Sequence, residues 1–79
     1  MKLWQLTPLP ERFETDWPSY DCAELFIVRA KTEAQARQYA SEDHGDEGAQ
    51  VWLDPAYTRC ELVGIAGAPG VIVREYYGD

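Results

Sequence analysis

The chain is short of everything that long-range chemistry usually needs. Its 79 residues hold one histidine, two cysteines and one methionine, and only seven lysines and arginines stand against fourteen acids. One imidazole leaves His44 as the sole candidate base for a nucleophile, and a general base must sit within reach of the group it activates. Two cysteines, Cys22 and Cys60, do not make the disulfide framework of a small secreted scaffold. Reduced thiols in a cytoplasmic protein are the default expectation, with pairing left open. No apolar run approaches the roughly 20 residues of a membrane span. Leu25-Phe26-Ile27-Val28 is the longest clear one in a strand-like segment, and Leu62 to Ala68 is broken by Gly64 and Gly67. The start of the chain, with Lys2 followed by Gln5, Thr7, Pro8 and Pro10, lacks the uninterrupted apolar core of a secretory leader.

The charge is the largest positive feature. At −7 the chain repels phosphates and anionic lipid surfaces, which argues against direct nucleic-acid or membrane binding. Hydrophobic residues make up 46% of it and ten residues are aromatic, too many for a disordered acidic tail. One small folded domain over residues 1–79 is expected.

Residues 2–7 read as a first strand, ended by Pro8 and Pro10. Residues 8–21, with three prolines, read as an irregular connection. Residues 22–30 are β-branched and aromatic enough for a well-buried strand. Thr32-Glu33-Ala34-Gln35 fits a capping box. Ala36, Tyr39 and Ala40 then form an apolar stripe, so the helix should run over 33–42. Val51-Trp52-Leu53 suggests a third strand and Asp54-Pro55-Ala56-Tyr57 a turn. Thr58-Arg59-Cys60-Glu61 fits either a second capping box or a strand. Gly64 to Gly70 reads as a hairpin-like connection closing on a type II turn at Pro69-Gly70, and 71–77 as a last strand. The fold class that follows is α+β: a small antiparallel or mixed sheet in the order β-β-α-β-β, with one helix packed on a face. Trp4 and Trp52 are the expected aromatic core.

The acids are not spread evenly. Glu11, Glu14, Asp16, Asp21 and Glu24, opposed only by Arg12, give residues 11–24 a charge of −4. Glu42, Asp43, Asp46 and Glu47 give residues 41–50 another −4, and the remaining chain is close to neutral. Glu42 and Asp43 fall at the expected C-terminus of the helix, where the macrodipole disfavours anions by about 0.3–1 kcal/mol each. These nine carboxylates are the candidate partner-binding residues, and reversing the second group to lysine should abolish binding without unfolding the chain. A basic protein surface is the partner that carboxylates so grouped would meet, through charge-assisted bonds to its arginines.

Other chemistry finds less material. Glu42-Asp43-His44-Gly45-Asp46-Glu47 offers hard oxygens and one imidazole to a divalent cation, but not in the order of an EF-hand loop. Cys60 beside Arg59 is the one thiol with a neighbour able to lower its pKa. Gly64-x-x-Gly67-x-x-Gly70 lacks the Lys-Ser/Thr of a phosphate loop. No cofactor and no catalytic residue is expected.

Trp52-Leu53-Asp54-Pro55, Thr58-Arg59-Cys60 and Gly70-Val71-Ile72-Val73-Arg74 resemble the W-x-D-P, T-x-C and G-V-I-x-R motifs of small uncharacterised bacterial proteins, over roughly residues 23–77. That resemblance carries no active site. In size, acidity and α+β character the chain is also similar to phage anti-CRISPR proteins of the DNA-mimic type. This second likeness implies a non-enzymatic inhibitor in the bacterial cytoplasm that occupies a basic DNA-binding surface of a type I CRISPR surveillance complex. Two alternatives stand beside it: an acidic housekeeping domain that self-associates through a sheet edge, and a divalent-cation-binding domain using the segment from Glu42 to Glu47.

Overall fold

In the computed structural model, which describes residues 1–65 and 69–77 (for Tyr77 the backbone alone), four strands form one antiparallel sheet. They are β1 (Lys2–Pro8), β2 (Cys22–Ala30), β3 (Thr58–Ile65) and β4 (Gly70–Tyr77), and their order across the sheet is β3-β1-β2-β4. Three helices interrupt them: α1 (Pro10–Asp16) between β1 and β2, then α2 (Glu33–Glu42) and α3 (Gln50–Leu53) between β2 and β3. The α+β class and the antiparallel sheet agree with the sequence reading. The element order agrees in part.

β2 and α2 have the bounds their residues predict. Phe26, Val28 and Ala30 point inward and are fully buried. At the start of α2, Thr32 accepts a hydrogen bond from the Gln35 backbone N–H at 3.1 Å. The Gln35 side chain reaches back to the Lys31 N–H at 2.8 Å, one residue earlier than a regular capping box. Ala36 and Ala40 are fully buried, and their small side chains let the helix axis approach β2.

Three sequence expectations are corrected. Residues 10–16 of the supposed irregular connection form α1, with Pro10 in its first turn, where a missing N–H costs nothing. Residues 51–53 are helical within α3, not strand. Their apolar character comes from Trp52, which is buried against Phe26 and Trp17 in edge-to-face contacts, with ring centroids 4.7 and 5.7 Å away. Residues 58–65 resolve to strand. The hairpin expected over Gly64–Gly70 is not one, because β3 and β4 occupy opposite edges of the sheet. The type II turn expected with Pro69-Gly70 at its centre begins at residue 68, which lies outside the described residues.

The core lies between one face of the sheet and the helices. Leu6, Phe26, Val28, Ala36, Ala40 and Trp52 are its fully buried centre, and Trp4 is only partly buried beside it. A cation also enters this layer. Arg37 of α2 is 5% exposed and donates to Glu33 (2.9 Å), the Trp52 carbonyl (3.1 Å), the Thr58 hydroxyl (2.9 Å) and the Thr58 carbonyl (3.0 Å). One guanidinium thereby ties α2 to α3 and β3, using the donors in the fork geometry that only arginine has.

Candidate functional site

The two acidic segments, separated in sequence by most of β2 and α2, meet at one end of the fold. Asp21 precedes β2 with φ 54°, a left-handed conformation that aspartate tolerates better than most residues. Its carbonyl accepts the Asp46 N–H at 2.6 Å. Gly45 makes this approach possible. A Cβ there would stand 2.6 Å from the Asp21 carbonyl oxygen and 2.7 Å from the Tyr76 ring, so no larger residue fits without parting the segments.

Glu47 locks the junction. Its carboxylate accepts from the Gly45 N–H at 3.0 and 2.9 Å, the Ala23 N–H at 2.9 Å and the Trp52 indole N–H at 2.6 Å. This single side chain joins the loop after α2 to the first residues of β2 and to the aromatic core. Glu47 belongs to the fold's interior bonding, and only its charge projects to the surface field.

Asp43 is also engaged. As the C-cap of α2 it lies where the helix dipole is unfavourable, but Arg74 of β4 pairs with its carboxylate at 3.0 Å and donates to its carbonyl at 3.3 Å. The cation answers both the acid and the helix terminus. The misplaced acid therefore has an intramolecular partner, which the sequence could not show because Arg74 is 31 residues away. Reversal of all four acids of this segment would consequently disturb the fold through Asp43 and Glu47.

The remaining candidates divide by position. Asp16 pairs with Arg12 at 3.3 Å on α1. Glu42 is exposed on the last turn of α2 and accepts from the Gln38 amide at 3.2 Å. Glu11 is exposed on the first turn of α1. Glu14 and Glu24 stand on a groove of about 360 Å³ whose apolar lining is Phe13, Trp17, Pro18 and Cys22. Glu24 is the residue left over where the β2–β4 register steps between Ala23 and Leu25. Such a bulge re-aims its side chain. A second hollow of about 270 Å³ shares Phe13 and Glu24 and continues toward Thr7 and Pro8.

The thiols report the same electrostatics. Burial raises the pKa of Cys22, and the carboxylates of Glu24, Glu47, Asp21 and Asp46 raise it further. Its Sγ faces the Pro18 carbonyl at 3.3 Å. The same three acids of the junction, Asp21, Asp46 and Glu47, help burial to raise the Tyr76 hydroxyl. Burial pushes Cys60 up to about 11, against a lowering contribution from Arg37. The lowered pKa that Arg59 might have given Cys60 is therefore not found. Neither thiol is shifted toward the thiolate.

Among the described residues no three His, Cys, Asp or Glu side chains are grouped to hold a metal ion. His44 turns Nδ1 toward the Gly45 carbonyl at 2.6 Å. No helix among them is long and apolar enough to cross a membrane. The chain matches no known protein family, no curated protein and no solved structure.

The structure therefore sorts the nine carboxylates read from sequence. Glu14 and Glu24 line the groove, Asp21 and Asp46 act through their charge on its Cys22 wall, Glu11 is exposed on α1 and Glu42 on α2, and Asp16, Asp43 and Glu47 have partners within the chain. Phe13 and Trp17, which sequence reasoning expected only to pin the 8–21 connection locally, give the groove its aromatic wall. Their i, i+4 spacing across α1 was the available signal.

Proposed function

We propose that the chain is a non-enzymatic docking module whose acidic groove end receives a cationic protein surface. The observation that carries this reading is the convergence of two distant acidic segments at the Asp21–Asp46 junction, whose carboxylates act on Cys22 in the wall of a groove lined by Glu14, Glu24, Phe13 and Trp17. An arginine suits such a site twice over. Its guanidinium makes charge-assisted bonds to carboxylates, and its flat face stacks on aromatic rings. The fold already does this internally, with Arg12 4.5 Å over the Tyr57 ring and Arg74 4.3 Å over Tyr76. A basic nucleic-acid-binding channel, such as that of a type I CRISPR surveillance complex, is one surface of this kind, and competition with nucleic acid would reveal a mimic.

The test is titration with an arginine-rich peptide, followed by tryptophan fluorescence and calorimetry at low and moderate salt. Glu14→Gln with Glu24→Gln should weaken binding at least about tenfold, the scale of one to two lost charged hydrogen bonds. Glu61→Gln with Glu75→Gln removes the same charge elsewhere and should have a much smaller effect. Equal weakening by the two pairs would mean that net charge, and no particular site, attracts the peptide.

A further inference from the structure

The outer face of the sheet is the other surface whose composition calls for an occupant. An antiparallel sheet with one wet face normally alternates apolar inside with polar outside. β2 does not. Phe26 and Val28 face the core, yet the alternating Leu25 and Ile27 are apolar too. The register extends the patch sideways. Ile27 neighbours Val73 of β4, and Leu3 of β1 lies one step along from the Gln5–Ile27 pair. Val73 is 44% exposed, and the described helices pack on the opposite face.

The charges around this patch balance. Arg59 and Glu61 on β3, Arg29 on β2 and Glu75 on β4 share the outer face and sum to zero, in a chain of −7. Strongly like-charged copies can meet only where the field is neutral, and this face provides that. The arrangement is also self-complementary. Arg59 sits opposite Thr7 and Glu75 opposite Leu25, and continuing the β1–β2 register puts all four in one row, with the arginine at one edge of the sheet and the glutamate at the other. A two-fold axis lying along the strands between β1 and β2 turns one face onto a second and brings Arg59 of each copy over Glu75 of the other. A two-fold axis across the strands would not bring the two together, and Arg59 would keep only its 3.9 Å pair with Glu61 of the same copy. Arg29 adds a buried Nε with no hydrogen-bond partner among the described residues, on this same face.

We propose that two copies of the chain pack face to face through their sheets, with Leu3, Leu25, Ile27 and Val73 at the centre and two reciprocal Arg59–Glu75 pairs at the rim. Four strands at about 4.8 Å spacing and seven or eight residues of about 3.4 Å rise give a face on the order of 450 Å² in projection. Counted on both copies that is about 900 Å², below the roughly 1,200–2,000 Å² of standard interfaces and within the range of weak, transient ones, so the dimer should be a weak one, dissociating at micromolar concentrations or above. The pairing face meets the second hollow at Thr7, but self-association does not rest on the acidic groove's function.

Sedimentation equilibrium from about 1 to 500 μM, a range chosen to bracket that affinity, should show a rise from 9.0 kDa toward twice that mass. Arg59→Glu alone and Glu75→Arg alone place like charges opposite each other twice, and each should weaken self-association at least about tenfold. Mixing the two variants makes both rim pairs attractive again and should restore dimers. Recovery in the mixture also shows that both variants are folded. A wild-type chain that stays at 9.0 kDa throughout would overturn the proposal. So would single variants that dimerise as well as wild type, the result expected of edge-to-edge pairing, or a mixture that stays monomeric.

Discussion

Replacing Glu47 with glutamine tests whether one carboxylate joins the two acidic segments to the core. The change keeps size and shape but leaves one acceptor oxygen where there were two. In the native arrangement Oε1 accepts from Ala23 and Gly45, and Oε2 from Gly45 and the Trp52 indole. Whichever way the amide turns, its NH₂ faces an N–H donor. If it faces Trp52, the indole of a fully buried side chain loses a charge-assisted bond and gains a donor–donor clash. A hydrogen bond to a charged group contributes about 1.5–3 kcal/mol, and an orphaned buried donor costs a similar amount. With partial relaxation a net loss of about 2–3 kcal/mol is expected for Glu47→Gln, and more for Glu47→Ala. A chain of this size has a total stability of only about 4–12 kcal/mol. Urea unfolding followed by tryptophan fluorescence should show a lowered midpoint at unchanged slope, and the thermal midpoint should fall by on the order of 10 °C. A Glu47→Gln variant within about 0.5 kcal/mol of wild type, the usual span of surface substitutions, would refute the assignment.

Three further outcomes follow from the same contacts. Gly45→Ala places a methyl group against the Asp21 carbonyl and the Tyr76 ring, so it should destabilise by about 1–3 kcal/mol in chemical denaturation, although alanine is the better helix and loop former by entropy. Arg37→Met should cost about 2–4 kcal/mol by the same assay, because the carbonyls of Trp52 and Thr58 lose their buried donor. Arg37→Lys, with no fork to span both, should recover little of it. In alkali, Cys60 ionises from 9.0 in the unfolded chain but only at about 11 when folded. The folded state therefore binds more protons in that window, and stability falls as pH rises from 9 to 11. Cys60→Ala should flatten that part of the curve, and thiolate absorbance of the native protein should titrate late.

Much of the fold was legible because local physics decided it. The bounds of β2 and α2 follow from β-branched residues and from a capping threonine acting within three residues. α1 was hidden by its prolines, which read as breakers until Pro10 is seen to occupy a first turn. Trp52 misled in the opposite direction. A short apolar run looks like a strand, yet this one is a single helical turn that plugs an aromatic ring between Phe26 and Trp17. For the site, sequence located the acids but not their roles. Asp43 is answered by Arg74 and Glu47 by three N–H donors, and neither pairing has a sequence signature at those separations.

By itself, then, the sequence determined that the charge excess is confined to two segments on a nearly neutral scaffold, since composition at each position is all that this requires. Only the tertiary structure decided that the segments meet. That depends on Gly45, whose lack of a side chain lets the Asp46 N–H reach the Asp21 carbonyl, and on the sheet order that carries β3 and β4 to opposite edges. The same order gathers Leu3, Leu25, Ile27 and Val73 on the face away from the helices. Strand neighbours are chosen by which faces can be buried together, a property of the whole chain that no local stretch contains.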